Sequence, residues 1–98
     1  MDNRDLRSLL RALANSARLR MLQRLASRDE TTVTALTREL RISQPLASWH
    51  LRSLRRSGLI ETRRVGREVH CSLNRVRLQE LVRALDEMAA IPVGNVDR

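Results

Sequence analysis

Leucines recur at helical spacing through most of the chain, and the period changes to a strand-like alternation only after Gly58. Between Arg4 and Ala14, Leu6, Leu9, Leu10 and Leu13 fall at i, i+3, i+4 and i+7, one apolar face of a helix with Arg4, Arg7 and Arg11 opposite. Asn15 and Ser16 are capping types for a second helix carrying Leu19, Leu22, Leu25 and Ala26, which meets a polar break at Ser27 to Thr31. Thr32 offers the N-cap of a third, shorter helix marked by Val33, Leu36 and Leu40. Ser43, Pro45 and Gly58 then bracket a fourth helix: a capping hydroxyl, a proline tolerated only in a first turn, and a stop residue. Beyond Gly58, Leu59 to Val65 is strand-compatible and Gly66-Arg67 is a turn. Val69, Cys71 and Leu73 alternate with Glu68, His70 and Ser72, completing a hairpin. Asn74 caps a last helix, Arg75 to Ala90, with Leu78, Leu81, Val82, Leu85 and Met88 on one face. Pro92 and Gly94 follow, so residues 91–98 read as a flexible C-terminal tail to a domain spanning 1–90.

The expected fold is therefore mainly α with a small β-hairpin. The connection Arg41-Ile42-Ser43 is so short that the third and fourth helices read as a helix-turn-helix, whose second helix enters the DNA major groove. That second helix has two chemistries. At about 100° per residue, Ala47, Leu51 and Leu54 form a narrow apolar stripe, while Ser48, Trp49, Arg52 and Arg56 project from the other side. The stripes on the first and last helices exceed what a small domain needs to cover one helix-turn-helix. Leu6, Leu9, Leu10, Leu13, Leu78, Leu81, Val82, Leu85 and Met88 are accordingly expected to form a two-fold homodimer interface.

Charge sharpens this picture by its placement. The 98 residues carry a net charge of +8, and the stretch from Arg41 to Arg67 holds seven arginines against one acid, Glu61. The basic excess coincides with the suspected reading helix and with the hairpin, whose Arg63, Arg64 and Arg67 are placed to meet phosphates. All 19 basic residues are arginine, which GC-rich codon usage explains more readily than selection for bidentate phosphate and guanine contacts.

Other chemistry is sparse. One cysteine excludes an intramolecular disulfide and an all-cysteine zinc site within one chain. His70 and Cys71 are adjacent on a strand and point to opposite faces, so they do not ligate one metal on a regular strand. Cys71, sharing a face with Val69 and Leu73, reads as a small core thiol. His50 lies at the edge of the apolar stripe and reads as a packed histidine. Ser48 and His50 lie on opposing helix faces, there is no glycine-rich phosphate loop, and no enzyme is expected. Asp29 and Glu30 read as an exposed acidic pair between helices. No apolar run approaches the ~18 residues of a membrane span and no export signal is evident, so a cytoplasmic location without membrane contact is expected.

Two stretches, ALANSARLRMLQRLA and TVTALTRELRISQPLASWHLRSLRRSGLIETRRVGREVHCSLN, together resemble the arsenic-repressor (ArsR-type) winged helix-turn-helix regulators from about Leu10 to Leu85. The resemblance implies a homodimer, paired through the terminal helices, that represses transcription by occupying an imperfect palindrome in double-stranded DNA. It matches Gln44, Pro45, Ser48 and Trp49 to the groove-reading positions, with Ser43 at the helix start and Arg52 and Arg56 nearer the backbone. Gln44 suits adenine, and Ser48 a base edge or phosphate. Trp49 departs from the polar residues common at its place and implies apolar contact, such as a thymine methyl. The family's usual metal sites are absent by ligand type. Asp29 to Leu36 reads DETTVTAL without cysteine, and the last helix, RVRLQELVRALDEM, lacks histidine. No metal and no cofactor are expected, and no effector is identified. Two other readings remain: a metal- or redox-responsive repressor acting through Cys71, and a protein-interaction module for which Trp49 would be the anchor.

Overall fold

The computed structural model describes residues 1–95. Helices α1 (Asn3–Leu13) and α2 (Ser16–Ala26) are followed by a two-residue strand β1 (Thr31–Thr32), then α3 (Val33–Leu40) and α4 (Gln44–Arg56). Strands β2 (Ile60–Val65) and β3 (Glu68–Leu73) lead into α5 (Arg75–Ala89) and a single 3-10 turn, Val93–Asn95. Of the tail expected over 91–98, residues 96–98 lie outside the described residues.

Each helix begins where a short polar side chain closes its first turn. Asn15, Thr32, Ser43 and Asn74 accept the backbone N–H of Arg18, Ala35, Leu46 and Arg77 at 3.0 to 3.2 Å. Asp2 does the same for Asp5 at 2.8 Å, so α1 starts a residue earlier than its leucine pattern suggests. The turn between α3 and α4 is closed by Arg41, which takes a left-handed φ of 55° while the Ile42 N–H reaches the Thr37 carbonyl at 3.3 Å. A non-glycine residue in that conformation is uncommon, and here it joins two helices within three residues.

The sheet contains the expected hairpin and adds a third, two-residue strand to it. Its order is β1-β3-β2, all antiparallel, with Thr31 opposite Cys71 and Thr32 opposite His70. A strand of two threonines contains too little alternation to be seen in sequence. It forms because β3 offers its second edge to the chain entering α3. The hairpin itself pairs Ile60 with Leu73 through Val65 with Glu68, and it begins at Ile60 because Leu59 still donates its N–H to the Leu54 carbonyl at 3.1 Å.

The core sits where α1 to α4, the sheet and α5 meet. Leu9, Met21, Leu25, Leu36, Leu54, Leu59, Ile60 and Cys71 are fully enclosed there. Leu9 and Leu81, expected at a subunit interface, belong to this core, with 0% and 2% of their surface exposed. The first-helix and last-helix stripes are thus divided. Leu6, Leu13 and Leu78 are partly buried against the core, while Leu10, Val82, Leu85 and Met88 remain exposed. Arg77 ties the corner together, donating from Nε to the Ser57 carbonyl at 3.1 Å and from Nη2 to Asp5 at 3.2 Å. The molecule is elongated, 59 × 22 × 21 Å, with a radius of gyration of 15.9 Å. A compact domain of this length would give about 13 Å.

Candidate nucleic-acid interface

Helix α4 is presented to solvent along one side only. Ala47, His50, Leu51 and Leu54 are buried, which anchors the helix, whereas Ser43, Gln44, Pro45, Ser48, Trp49, Arg52 and Arg56 are all exposed. Trp49 exposes 56% of its surface and meets the buried His50 ring edge-on, with centroids 5.0 Å apart. His50 is packed, as its place on the helix predicts, but its Nδ1 finds no hydrogen-bond partner. Burial first, and the Arg18 charge second, hold its pKa below the ordinary value, so the ring is neutral at pH 7. Leu46, 42% exposed beside Pro45, is a further apolar contact point that the periodicity did not single out.

Between α4 and the hairpin lies an open groove of about 250 Å³. Gln44, Ser48, Arg52 and Arg55 line it from the helix, Thr34 from α3, and Thr62, Arg67, Glu68 and Val69 from the hairpin. The apolar periodicity of α3 and α4 does not single out Arg55 or Thr34. Arg55 follows from the helical angle, since it falls on the Ser48-Arg52 side, while Thr34 is legible only once α3 is packed across the start of the groove. The Arg55 Nη1 approaches Thr62 Oγ1 at 3.4 Å, linking helix to hairpin.

The three hairpin arginines do not act together. Strand alternation turns Thr62 and Arg64 toward the α4 side, with Arg64 across from Val69, and Arg63 to the opposite face, across from His70. There Arg63 donates Nε and Nη2 to the two carboxylate oxygens of Glu30 at 2.9 and 2.8 Å. The Arg63 hydrogen bonds are the main reason that the Glu30 pKa is lowered. Glu30 is therefore not part of a free acidic pair, and Arg63 is not free for phosphate in this arrangement. Arg64 and Arg67 are exposed and, among the described residues, make no ion pair.

His70 and Cys71 are separated as their adjacency requires. His70 Nδ1 lies 3.0 Å from Glu30 Oε1, and its Nε2 lies 3.6 Å from Glu68 on the outer face. Cys71 is 1% exposed, its thiol donating to the Thr31 carbonyl at 3.4 Å. Burial, with the Glu30 charge adding to it, pushes this thiol up to about 11, so it carries little thiolate near neutrality. Among the described residues no group of three or more His, Cys, Asp or Glu side chains is placed to hold a metal ion. Among the described residues no helix is long and apolar enough to cross a membrane.

A helix-turn-helix domain family matches residues 13–63, which span α2 through α4 into the first hairpin strand. The chain is 35% identical over 80 residues to the transcriptional activator HlyU of Vibrio cholerae, covering 82% of this chain and 73% of that protein. It is 44% identical over 62 residues to an SmtB-type transcriptional repressor homologue of Synechocystis, a match to 63% of this chain and only 46% of that protein. An ArsR family transcriptional regulator of known crystal structure superposes with a TM-score of 0.81 at 28% identity, covering 91% of each chain. These relatives are transcriptional regulators, not enzymes. With five helices, a helix-turn-helix and a flanking antiparallel wing in the same order, this chain belongs to the ArsR family of winged helix-turn-helix DNA-binding transcriptional regulators.

Proposed function

We propose that the protein is a homodimeric repressor that reads one half of an imperfect palindrome with each α4. The observation that carries this reading is the division of α4 itself. An enclosed apolar stripe anchors the helix while Gln44, Pro45, Ser48, Trp49 and Arg52 stand exposed beside a wing that carries Arg64 and Arg67. Gln44 and Ser48 contact base edges, and Trp49 lies against an apolar base edge such as a thymine methyl. Arg52, Arg56, Arg64 and Arg67 contact phosphates, and Ser43 positions the helix start. Arg63 acts through Glu30, orienting the wing. Residues 1–90 form the binding and dimerising unit in this proposal, with 91–98 outside it. Leu10, Val82, Leu85 and Met88 form the dimer surface, flanked by Leu6, Leu13 and Leu78, and set the two reading helices about one helical turn, ~34 Å, apart. The reading requires no metal or cofactor, and a cytoplasmic location suits it.

The test is binding of the purified protein to the DNA upstream of its own gene against a shuffled fragment, at low and at physiological salt. The expected result is a salt-sensitive preference of at least ~10³ for the upstream fragment. Gln44→Ala and Ser48→Ala should each weaken specific binding by about 1–3 kcal/mol while leaving the shuffled fragment unaffected. Equal loss on both DNAs would make these residues positioners rather than readers. No binding to any DNA at low salt would reject the proposal in favour of a protein-binding face built on Leu46 and Trp49.

A further inference from the structure

On the flank of α4 turned away from the wing there is a second, smaller pocket of about 170 Å³, lined by Ser8, Arg11, Arg18, Ser53, Arg56 and Ser57. It lies between the C-terminal halves of α1 and α4, closed off by the start of α2. Three of the residues lining it are arginines, and no acidic residue lines it. Arg18 is held in place by its own hydrogen bonds, Nε to the Ala12 carbonyl at 2.8 Å and Nη2 to the Arg11 carbonyl at 3.3 Å. Among the described residues, the side chains of Arg11, Arg56, Ser8 and Ser53 form no hydrogen bond or ion pair with the protein, leaving their donors for a ligand. Gathering like charges around one recess is unfavourable unless something negative shares it. The Arg18 charge also bears on His50 in the reading helix, so the field of this pocket extends into α4.

The angular position of the pocket narrows its role. On α4, Arg56 and Ser53 lie about 40° and 100° to one side of Arg52, and Ser48 and Arg55 about 40° and 60° to the other. A helix seated in a major groove has a phosphate strand along each flank. The wing groove faces one of them and this pocket the other. On α1, Ser8 lies about 160° from the exposed Leu10, so the pocket is directed away from the apolar side of that helix.

We propose that the Arg11-Arg18-Arg56 pocket is a phosphate-binding site, taking one tetrahedral phosphate group by charge-assisted hydrogen bonds from Arg11 and Arg56 and by the Ser8 and Ser53 hydroxyls. The same chemistry is supplied by free inorganic phosphate or by a phosphodiester of the DNA backbone, and only the second source rests on the DNA-binding reading above. The test uses the full-length protein. Backbone amide NMR spectra are titrated with inorganic phosphate against chloride at equal ionic strength, without DNA, for the natural protein and for Arg11→Gln and Arg56→Gln. Saturable shifts confined to α1, α4 and the start of α2, and at least tenfold weaker in either variant, identify free phosphate as a ligand. Absence of shifts, combined with Arg11→Gln and Arg56→Gln variants that each bind upstream and shuffled DNA equally more weakly and with a salt slope reduced by about 1, assigns the site to the DNA backbone. Arg56→Met, which likewise removes the charge and the fork, substitutes if the glutamine variant does not fold. No phosphate shifts and an unchanged salt slope overturn the proposal. Should the natural protein bind no DNA, the function proposed above fails, and the phosphate titration alone then decides this site.

Discussion

Cys71 combines two roles that are easily confused, a core side chain and an isolated ionisable thiol. The chain contains no tyrosine and no lysine, so apart from the terminal amine Cys71 is the one group whose ionisation falls between pH 8 and 11. Its folded pKa of about 11 stands above the ordinary 9.0. The unfolded thiol therefore loses its proton first, and stability should decline from about pH 9 and level off above about pH 11. Urea titrations across that range should show this slope in the natural protein and not in Cys71→Ala. If the slope persists in the variant, the thiol is not its source. The same burial predicts unchanged DNA-binding responses to zinc and peroxide in Cys71→Ser. Gly58 is constrained differently. Its φ is +83°, and a Cβ placed there would lie 3.2 Å from Arg77 Nε, the atom that holds the Ser57 carbonyl. Gly58→Ala should destabilise by about 1–2 kcal/mol, from left-handed strain and from displacement of Arg77. At about 4–8 °C per kcal/mol this is readily seen as a lowered Tm.

At the scale of elements, the wing is the feature whose arginines divide by face. Arg64 and Arg67 belong to the side that meets α4 and the tip, while Arg63 is engaged by Glu30 from the segment before β1. Arg64→Gln and Arg67→Gln should each lower the salt slope of DNA binding by about 1 with little change in folding stability. Arg63→Gln should leave that slope nearly unchanged and instead loosen the attachment of the wing, detected as faster amide exchange in β2. Glu30→Gln is the informative converse. It releases Arg63 from its partner and should raise affinity for shuffled DNA. An equal fall in slope for all three arginine variants would show that the Glu30 contact opens on DNA.

The whole molecule is longer than its chain length suggests because the outer part of α5 runs beyond the core, carrying Val82, Leu85 and Met88 into solvent. Exposed apolar side chains grouped at helical spacing are the usual sign of a partner surface. Under the dimer proposal, Leu85→Glu should yield a monomer by sedimentation while the monomer stays folded, since Leu85 is 40% exposed in the subunit. Operator affinity should then fall and become dependent on protein concentration. Leu81→Ala should behave differently, costing about 2–5 kcal/mol through a cavity in the subunit's own core. A Leu85→Glu protein that remained dimeric would relocate the interface.

The amino-acid sequence by itself determined the helices, their caps, the hairpin and the side of α4 that faces outward, because these depend on neighbours within a few residues. A capping side chain, a proline in a first turn and a 3.6-residue apolar period act locally, and Ser43, Asn74, Ala47 and Leu54 appear where those forces put them. Tertiary structure alone decided the matters that join distant segments. It paired Thr31 with Cys71, brought Glu30 onto Arg63 across 33 residues, and moved Arg55 and Thr34 into one groove. It also divided leucines of one helical stripe between core and surface. Leu9 and Leu10 share a period, and only the position of the neighbouring elements encloses one and leaves the other exposed.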